Sequence, residues 1–228
     1  MELVELPIKF EFNGQENWIY PTLIVQGEGL TLVDTGYANF LPFIEAAIQA
    51  AGYDTIQLQH IIITHYDDDH IGSLHAFKEK YPHVTIIASA IEAPSISGEQ
   101  PSERLIQAQE MLAHMPKEQK DFGEWFVQQL QSLEHVRVDQ TVNHLDLILQ
   151  DACQVIATPG HTAGHISLFF PALNSIITGD AAVHEAEQLT VANPQFCLDL
   201  KTAEQSLQTV KNLQAKTYYC YHGGRYEV

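Results

Sequence analysis

The segment Thr64-His65-Tyr66-Asp67-Asp68-Asp69-His70 sets three adjacent carboxylates between two imidazoles. Like charges a few ångströms apart oppose one another. A helix starting near residue 70 would offset only about 0.3–1 kcal/mol per charge, whereas a divalent cation would offset far more. Alternation along an extended segment puts residues 65, 67 and 69 on one side and turns Asp68 away, so Asp68 is left out of the expected ligands. Other donors stand where further strands should end. Thr158-Pro159-Gly160-His161-Thr162-Ala163-Gly164-His165 is a glycine-punctuated turn, Thr178-Gly179-Asp180 offers a carboxylate, and His222 follows Tyr221 near the end of the chain. Singly, each is an ordinary turn or a structural histidine. Together, strand ends that each deliver a nitrogen or oxygen point to a metal site built from His65, Asp67, Asp69, His70, His161, Asp180 and His222.

The elements that must position these residues alternate in type. Trp18–Tyr20, Thr22–Val25 and Leu30–Val33 read as strands, the last leading into Asp34-Thr35-Gly36. Phe40, Phe43, Ile44, Ala47, Ile48 and Ala51 recur at helical spacing before Gly52. Leu58–Thr64, with the run Ile61-Ile62-Ile63, is too short and too β-branched for a buried helix and reads as a central strand. A helix is expected over Ile71–Tyr81 and a strand over Val84–Ala88. Residues 95–134 differ, being rich in Gln, Glu, Met and Lys. Leu105, Ala108, Leu112 and Met115, then Trp125, Phe126 and Leu130, predict two helices broken near Pro116. They form an insertion suited to cap a site, since segments inserted between scaffold elements often carry function. Strands return at Val136–Val138, Leu145–Leu149, Cys153–Ala157, Ile166–Phe170 and Ser175–Thr178, followed by a helix over Thr202–Leu213 and a strand over Thr217–Tyr221. One layered α/β domain over residues 1–228 is the economical organisation.

Composition narrows the partners. With 29 acidic and 11 basic residues among 228, the formal charge is −18, which disfavours nucleic acid and anionic membrane surfaces and leaves a small-molecule substrate. Three scattered cysteines, Cys153, Cys197 and Cys220, form no CxxC pair and read as thiols in a reducing compartment. The first residues show no basic and apolar leader, so the expected location is the cytoplasm. Both monomer and homodimer fit.

In order and spacing, His65-x-Asp67-x-Asp69-His70, Pro159-Gly160-His161-Thr162-x-Gly164-His165, Thr178-Gly179-Asp180 and the late His222 resemble the metallo-β-lactamase-fold hydrolases. Asp34-Thr35-Gly36 looks like that family's early structural motif. The likeness runs over roughly residues 15–225 and is poorest at 95–134. It implies a four-layer αββα sandwich with a helical insertion, and two divalent metal ions. His65, Asp67 and His161 would hold the first, Asp69, His70 and His222 the second, with Asp180 bridging. It also implies a metal-bridging hydroxide that attacks a small ester, lactone or thioester, with Asp69 as the catalytic group that orients the water and moves its proton. Most of the family has histidine at position 67, so a carboxylate there makes the first site harder and more anionic. Zn²⁺ is the expected ion, with Mn²⁺ or Fe²⁺ also compatible. The di-iron flavoprotein branch carries a carboxylate at that position, which leaves a di-iron oxidoreductase as one alternative. A metal-binding protein without catalysis is another. His165 and Asp34 are expected to order the ligands, and Tyr37, Tyr66 and Tyr221 are candidates for an oxyanion donor.

Overall fold

The computed structural model describes residues 1–12 and 14–228. The first half runs β1 (Glu2–Glu5), β2 (Ile8–Phe12), β3 (Gln15–Ile19), β4 (Thr22–Gln26), β5 (Gly29–Val33), α1 (Leu41–Ala50), β6 (Leu58–Ile63), α2 (Asp68–Ile71), α3 (Leu74–Lys80) and β7 (Thr85–Ser89). Three helices follow, α4 (Ala93–Ile96), α5 (Glu103–His114) and α6 (Lys120–Gln131). The second half runs β8 (Gln140–Val142), β9 (Leu147–Ile148), β10 (Cys153–Ala157), β11 (Ile166–Phe170), β12 (Ser175–Gly179), β13 (Val183–Glu185), β14 (Gln188–Thr190), α7 (Leu200–Asn212), β15 (Thr217–Cys220) and β16 (Gly224–Glu227).

Two sheets of six strands form, in the orders β1-β4-β5-β6-β7-β8 and β16-β15-β12-β11-β10-β9. β6 lies inside the first sheet, parallel to β5 and β7. Its apolar run serves both faces of that sheet. Ile62 packs with Val33 and Ile87 against Val155, Leu168, Phe170 and Ile177 of the second sheet. Ile61 and Ile63 instead face Ile44 and Ile48 of α1 and Leu74 and Phe77 of α3. On the far side, Ile176, Tyr218 and Cys220 meet Val210 and Leu207 of α7. Helices, two sheets and a helix therefore stack as the four-layer αββα sandwich that the resemblance implied, with α4–α6 inserted between β7 and β8. The chain leaves the C-terminal ends of β5, β6, β12 and β15 into Asp34, His65, Asp180 and His222. The pairs β5·β6 and β12·β15 are parallel, so each pair delivers its residues at one edge of its sheet.

Several local expectations differ from the structure. Val136–Val138 is not a strand, because its amides are taken by α4, Val136 by the Ile96 carbonyl and Val138 by Ser97 Oγ. Pairing at Leu145–Leu149 shrinks to residues 147 and 148, since Leu145 and Leu149 hold left-handed φ angles of 70° and 53°. The helix expected over Ile71–Tyr81 is split by Gly72 and Ser73 into α2 and α3. At Gly72 a Cβ would lie 2.3 Å from the Ala38 amide nitrogen, so the backbones meet where a side chain has no room. Ser102 caps α5 by accepting from the Leu105 amide at 3.1 Å, and α5 and α6 pack through Ala108, Val127 and Leu130. Among the described residues, no helix is long and apolar enough to cross a membrane.

Candidate metal centre

The centre grows from the end of β6. Asp34, at φ 63°, accepts from the Thr64 amide at 2.9 Å and from Thr64 Oγ1 at 2.8 Å. Because Thr64 Oγ1 donates to Asp34, its contact with His65 Nδ1 at 3.0 Å is one in which the imidazole donates. His70 Nδ1 likewise donates to Asp34 Oδ2 at 2.9 Å, and Thr35 holds the His70 carbonyl through both its amide and its hydroxyl. One buried acid thus sets both rings so that their Nε2 atoms face inward.

The remaining donors arrive from the second sheet. The turn after β10 carries His161, which is 4% exposed, and Asp180 is 5% exposed. Asp180 Oδ2 stands 3.4 Å from His161 Nε2, while its Oδ1 stands 3.4 Å from His70 Nε2 and 3.6 Å from His222 Nε2. Asp69 Oδ2 lies 3.1 Å from His222 Nε2 and 3.7 Å from His70 Nε2. Two triads result: His65, His161 and Asp180, and Asp69, His70 and His222. In each, the donor atoms lie within 4.8 Å of one another. His65 Nε2, His70 Nε2 and Asp180 Oδ1 are buried without a hydrogen-bond partner, a costly state for polar atoms that a cation would relieve. Nitrogen and carboxylate donors in threes suit a divalent transition metal. Burial alone would lower the pKa of His70, but Asp69, Asp34 and Asp180 outweigh it and raise it well above its ordinary value. Burial is likewise outweighed at His161, by Asp180 and by hydrogen bonds to Asp67 and Cys197, and its pKa rises to about 10. The acids thus hold protons on these rings wherever no cation takes their place.

Strand-like alternation does not place Asp69, as the sequence had suggested. Asp67 ends the extended stretch, and residues 68–71 turn into α2, which carries Asp69 and His70 round to the second triad. Asp68 joins neither triad. Burial and the neighbouring Asp69 and Asp67 push its carboxyl up to about 7. Asp67 touches the first triad without belonging to it. Its Oδ2 is 3.0 Å from His161 Nε2 and 3.5 Å from His65 Nε2, but both of its oxygens are forked by Arg104 of α5, Nε to Oδ1 at 3.1 Å and Nη2 to Oδ2 at 2.8 Å. Burial would raise the Asp67 pKa, yet Arg104 and the two imidazoles hold it well below the usual carboxylate range.

Three supporting residues were not anticipated from sequence. Arg104 is one. Glu92, fully buried, accepts from Thr162 Oγ1, the Gly164 amide and the Tyr66 amide, tying the loop after β6 to the turn after β10. Burial pushes its carboxyl up to about 7 against those hydrogen bonds. Cys197 places its sulfur 4.0 Å from His161 Nδ1, and all three cysteines are free and buried. His165 is spent on structure, as expected: its Nε2 accepts from the Asp180 amide at 2.9 Å and its Nδ1 donates to Thr158 Oγ1 at 2.8 Å. Tyr221 donates to the Asp69 carbonyl, and Tyr66 reaches toward Glu103.

Residues 19–222 match the family model of the metallo-β-lactamase superfamily. The chain belongs to that superfamily. A probable metallo-hydrolase of Mycobacterium bovis is 32% identical over 187 residues, covering 71% of this chain and 56% of its own length. The chain thus spans little more than half of that relative. A hydroxyacylglutathione hydrolase of a Synechococcus strain is 25% identical over 216 residues, 91% of this chain and 65% of the relative. Among solved structures, a metallo-β-lactamase family protein of Thermus thermophilus superposes with a TM-score of 0.72 at 18% identity, covering 99% of this chain and 74% of that one. The superfamily is one of metallo-hydrolases, and the two triads are this member's candidate donors.

The turn that carries His161 depends on Gly160. At φ 122°, a Cβ there would lie 2.1 Å from the Ala203 amide nitrogen of α7. Gly160→Ala is therefore expected to destabilise the protein by about 1–3 kcal/mol through overpacking, read by chemical denaturation. Unchanged stability would mean that the turn has slack.

Proposed function

We propose that this chain is a dinuclear metal-dependent hydrolase acting on a small ester, lactone or thioester. The observation that carries this reading is Asp180, which turns one oxygen toward each triad while three inward-facing donor atoms lack a hydrogen-bond partner. His65, His161 and Asp180 would hold one ion. Asp69, His70 and His222 would hold the other, with Asp180 shared and Asp67 beside the first. Divalent ions, when bound, lower the pKa of water from 15.7 toward about 7 and polarise a carbonyl oxygen. Zn²⁺ fits the mixed nitrogen and oxygen donors best.

The chain's own groups do the rest. Asp69, at the floor of the cleft, accepts the proton lost by the attacking water and returns it to the departing alkoxide or thiolate. Tyr37 lines the same cleft. Burial, then the charges of Asp69 and Asp68, raise its pKa, so its phenol stays an O–H donor for a developing oxyanion. Phe122, Trp125 and Phe126 of α6 line the cleft as well, which supports reading residues 95–134 as a cap within one domain. The hydroxyacylglutathione hydrolase among the relatives favours hydrolysis at an acyl carbon. Arg104 engages both oxygens of Asp67, which weighs against the di-iron redox chemistry that this carboxylate suggested.

Elemental analysis of the purified protein is expected to find two equivalents of divalent metal per chain. An ester, lactone and thioester panel should show turnover that is lost on chelation and regained on metal addition. Bound metal with no turnover on the whole panel would make it a binding protein, and bound iron with redox turnover an oxidoreductase.

A further inference from the structure

The cleft that holds the candidate donors is a chamber of about 850 Å³, within the range of a drug-sized ligand site. Its wall is aromatic, drawn from three separate parts of the chain. Phe12 of β2 meets Trp125 of α6 with ring centroids 5.9 Å apart. Trp125 meets Phe122 at 5.7 Å, Phe122 stacks on Phe126 at 6.3 Å, and Phe126 meets Phe196 at 6.2 Å. These rings pack on one another yet stay open to solvent, with Phe12 44%, Phe122 53%, Trp125 40% and Phe196 39% exposed. A continuous exposed aromatic face of this kind marks a binding surface.

Charge narrows what the face can take. Glu11, Glu134 and Glu185 line the chamber and are exposed, and Asp68 lines it as well. Among the described residues of the lining, Arg104 is the one Lys or Arg, and its guanidinium is committed to Asp67. Away from the donor cluster, an anionic tail would meet acids with no free Lys or Arg of the lining to offset them. A chamber with apolar walls, an acidic rim and the donor cluster at its floor suits a molecule whose reacting group sits at the floor and whose uncharged remainder lies along the rings.

Building on the hydrolase reading, we propose that the substrate carries an apolar, uncharged acyl or aryl tail, seated between α6, β2 and the segment around Phe196. The acids of the rim disfavour anionic conjugates such as glutathione thioesters.

Trp18 and Trp125 are the two tryptophans, so a Trp18→Phe variant, metal-loaded, leaves Trp125 as the reporter. Titration with straight-chain primary amides from acetamide to octanamide is expected to tighten by about four-fold per methylene, the gain for burying one CH₂, until the chamber is filled. Phe126→Ser should flatten the series with metal content unchanged. A flat series in the reporter protein would overturn the proposal. So would tighter binding of amides of matching length that carry a carboxylate or trimethylammonium group at the far end of the tail, or Trp125 emission that shifts with protein concentration alone, the sign of a second copy on the face. Because the titration needs no turnover, chain-length-dependent binding with no activity on the panel would uphold this site and sink the hydrolase reading. Turnover with a flat series would do the reverse.

Discussion

Asp180→Ala is expected to bring bound metal from two equivalents per chain to less than one and to lower ester hydrolysis by about a thousand-fold. Asp180 sits between the triads, 3.4 Å from His161 Nε2 through one oxygen and 3.4 Å from His70 Nε2 through the other. Among the described residues, it is the one carboxylate within 4 Å of histidines of both triads. Removing it leaves His65 and His161 as a pair, too few donors for a closed site, and takes from the second triad a carboxylate 3.4 Å from His70 Nε2 and 3.6 Å from His222 Nε2. The rate estimate follows from the several kcal/mol a metal contributes at the transition state, at a factor of ten for about 1.4 kcal/mol. A readout independent of activity comes from linkage. An ion that binds only the folded state at about a hundred times its dissociation constant stabilises by about 2.7 kcal/mol, so the wild type should melt lower after chelation while Asp180→Ala melts alike with and without chelator. Two equivalents retained in the variant would show that Asp180 is dispensable to the centre, and the bridging role assigned to it would fall.

What the sequence disclosed about this centre depended on how local each signal was. The strand ends were legible because β-branched runs such as Ile61-Ile62-Ile63 stop abruptly at polar donors, and a parallel sheet buried on both faces has few other ways to look. The histidine and carboxylate types at those ends then identified metal chemistry before any geometry was known. Asp69 was set beside His65 and Asp67 by alternation, and joined to His70 and His222 only through the family resemblance. Strand alternation was extended through residue 69, whereas the chain turns helical at Asp68, and a single helical turn leaves no periodicity to read. Glu92 gave no signal at all, because its partners Thr162 and Gly164 lie 70 and 72 residues away. Arg104 was within reach. Its spacing to Ala108 is one helical turn, and both are buried on the same face of α5, so a lone arginine beside an apolar stripe in a strongly acidic chain marked a charge that must find a buried acid. Val136–Val138 failed because β-propensity describes a residue's fit to a pleated surface and cannot foresee a neighbouring helix end that takes its amides.

Arg104→Met is expected to cost the metal-free protein about 3–5 kcal/mol, the usual penalty for removing one partner of a buried ion pair. Arg104 is 2% exposed and Asp67 6%. The guanidinium supplies two of the hydrogen bonds that Asp67 accepts and extends a third donor to Gln107 Oε1 at 2.7 Å. Without it, an anion remains beside His65 and His161 in a water-poor pocket, and the link between α5 and the loop after β6 is cut. For a protein of this size the loss corresponds to a melting temperature lower by about 6–20 °C. Metal should reverse much of it. The carboxylate freed from Arg104 is an oxygen donor 3.0 Å from His161 Nε2, so the variant's first site gains a ligand, and its melting temperature should rise more on metal addition than that of the wild type. Asp67→Leu combined with Arg104→Met removes both charges and should recover most of the metal-free stability, since an apolar pair of similar volume often replaces a buried ion pair without loss. Equal losses in the chelated and loaded states, or a double variant no better than the single, would mean that Arg104 acts through packing against Phe196, 5.7 Å from its guanidinium carbon, and not through Asp67. A buried carboxylate at position 67 must be neutralised by a cation of one kind or another, and here α5 of the insertion supplies it.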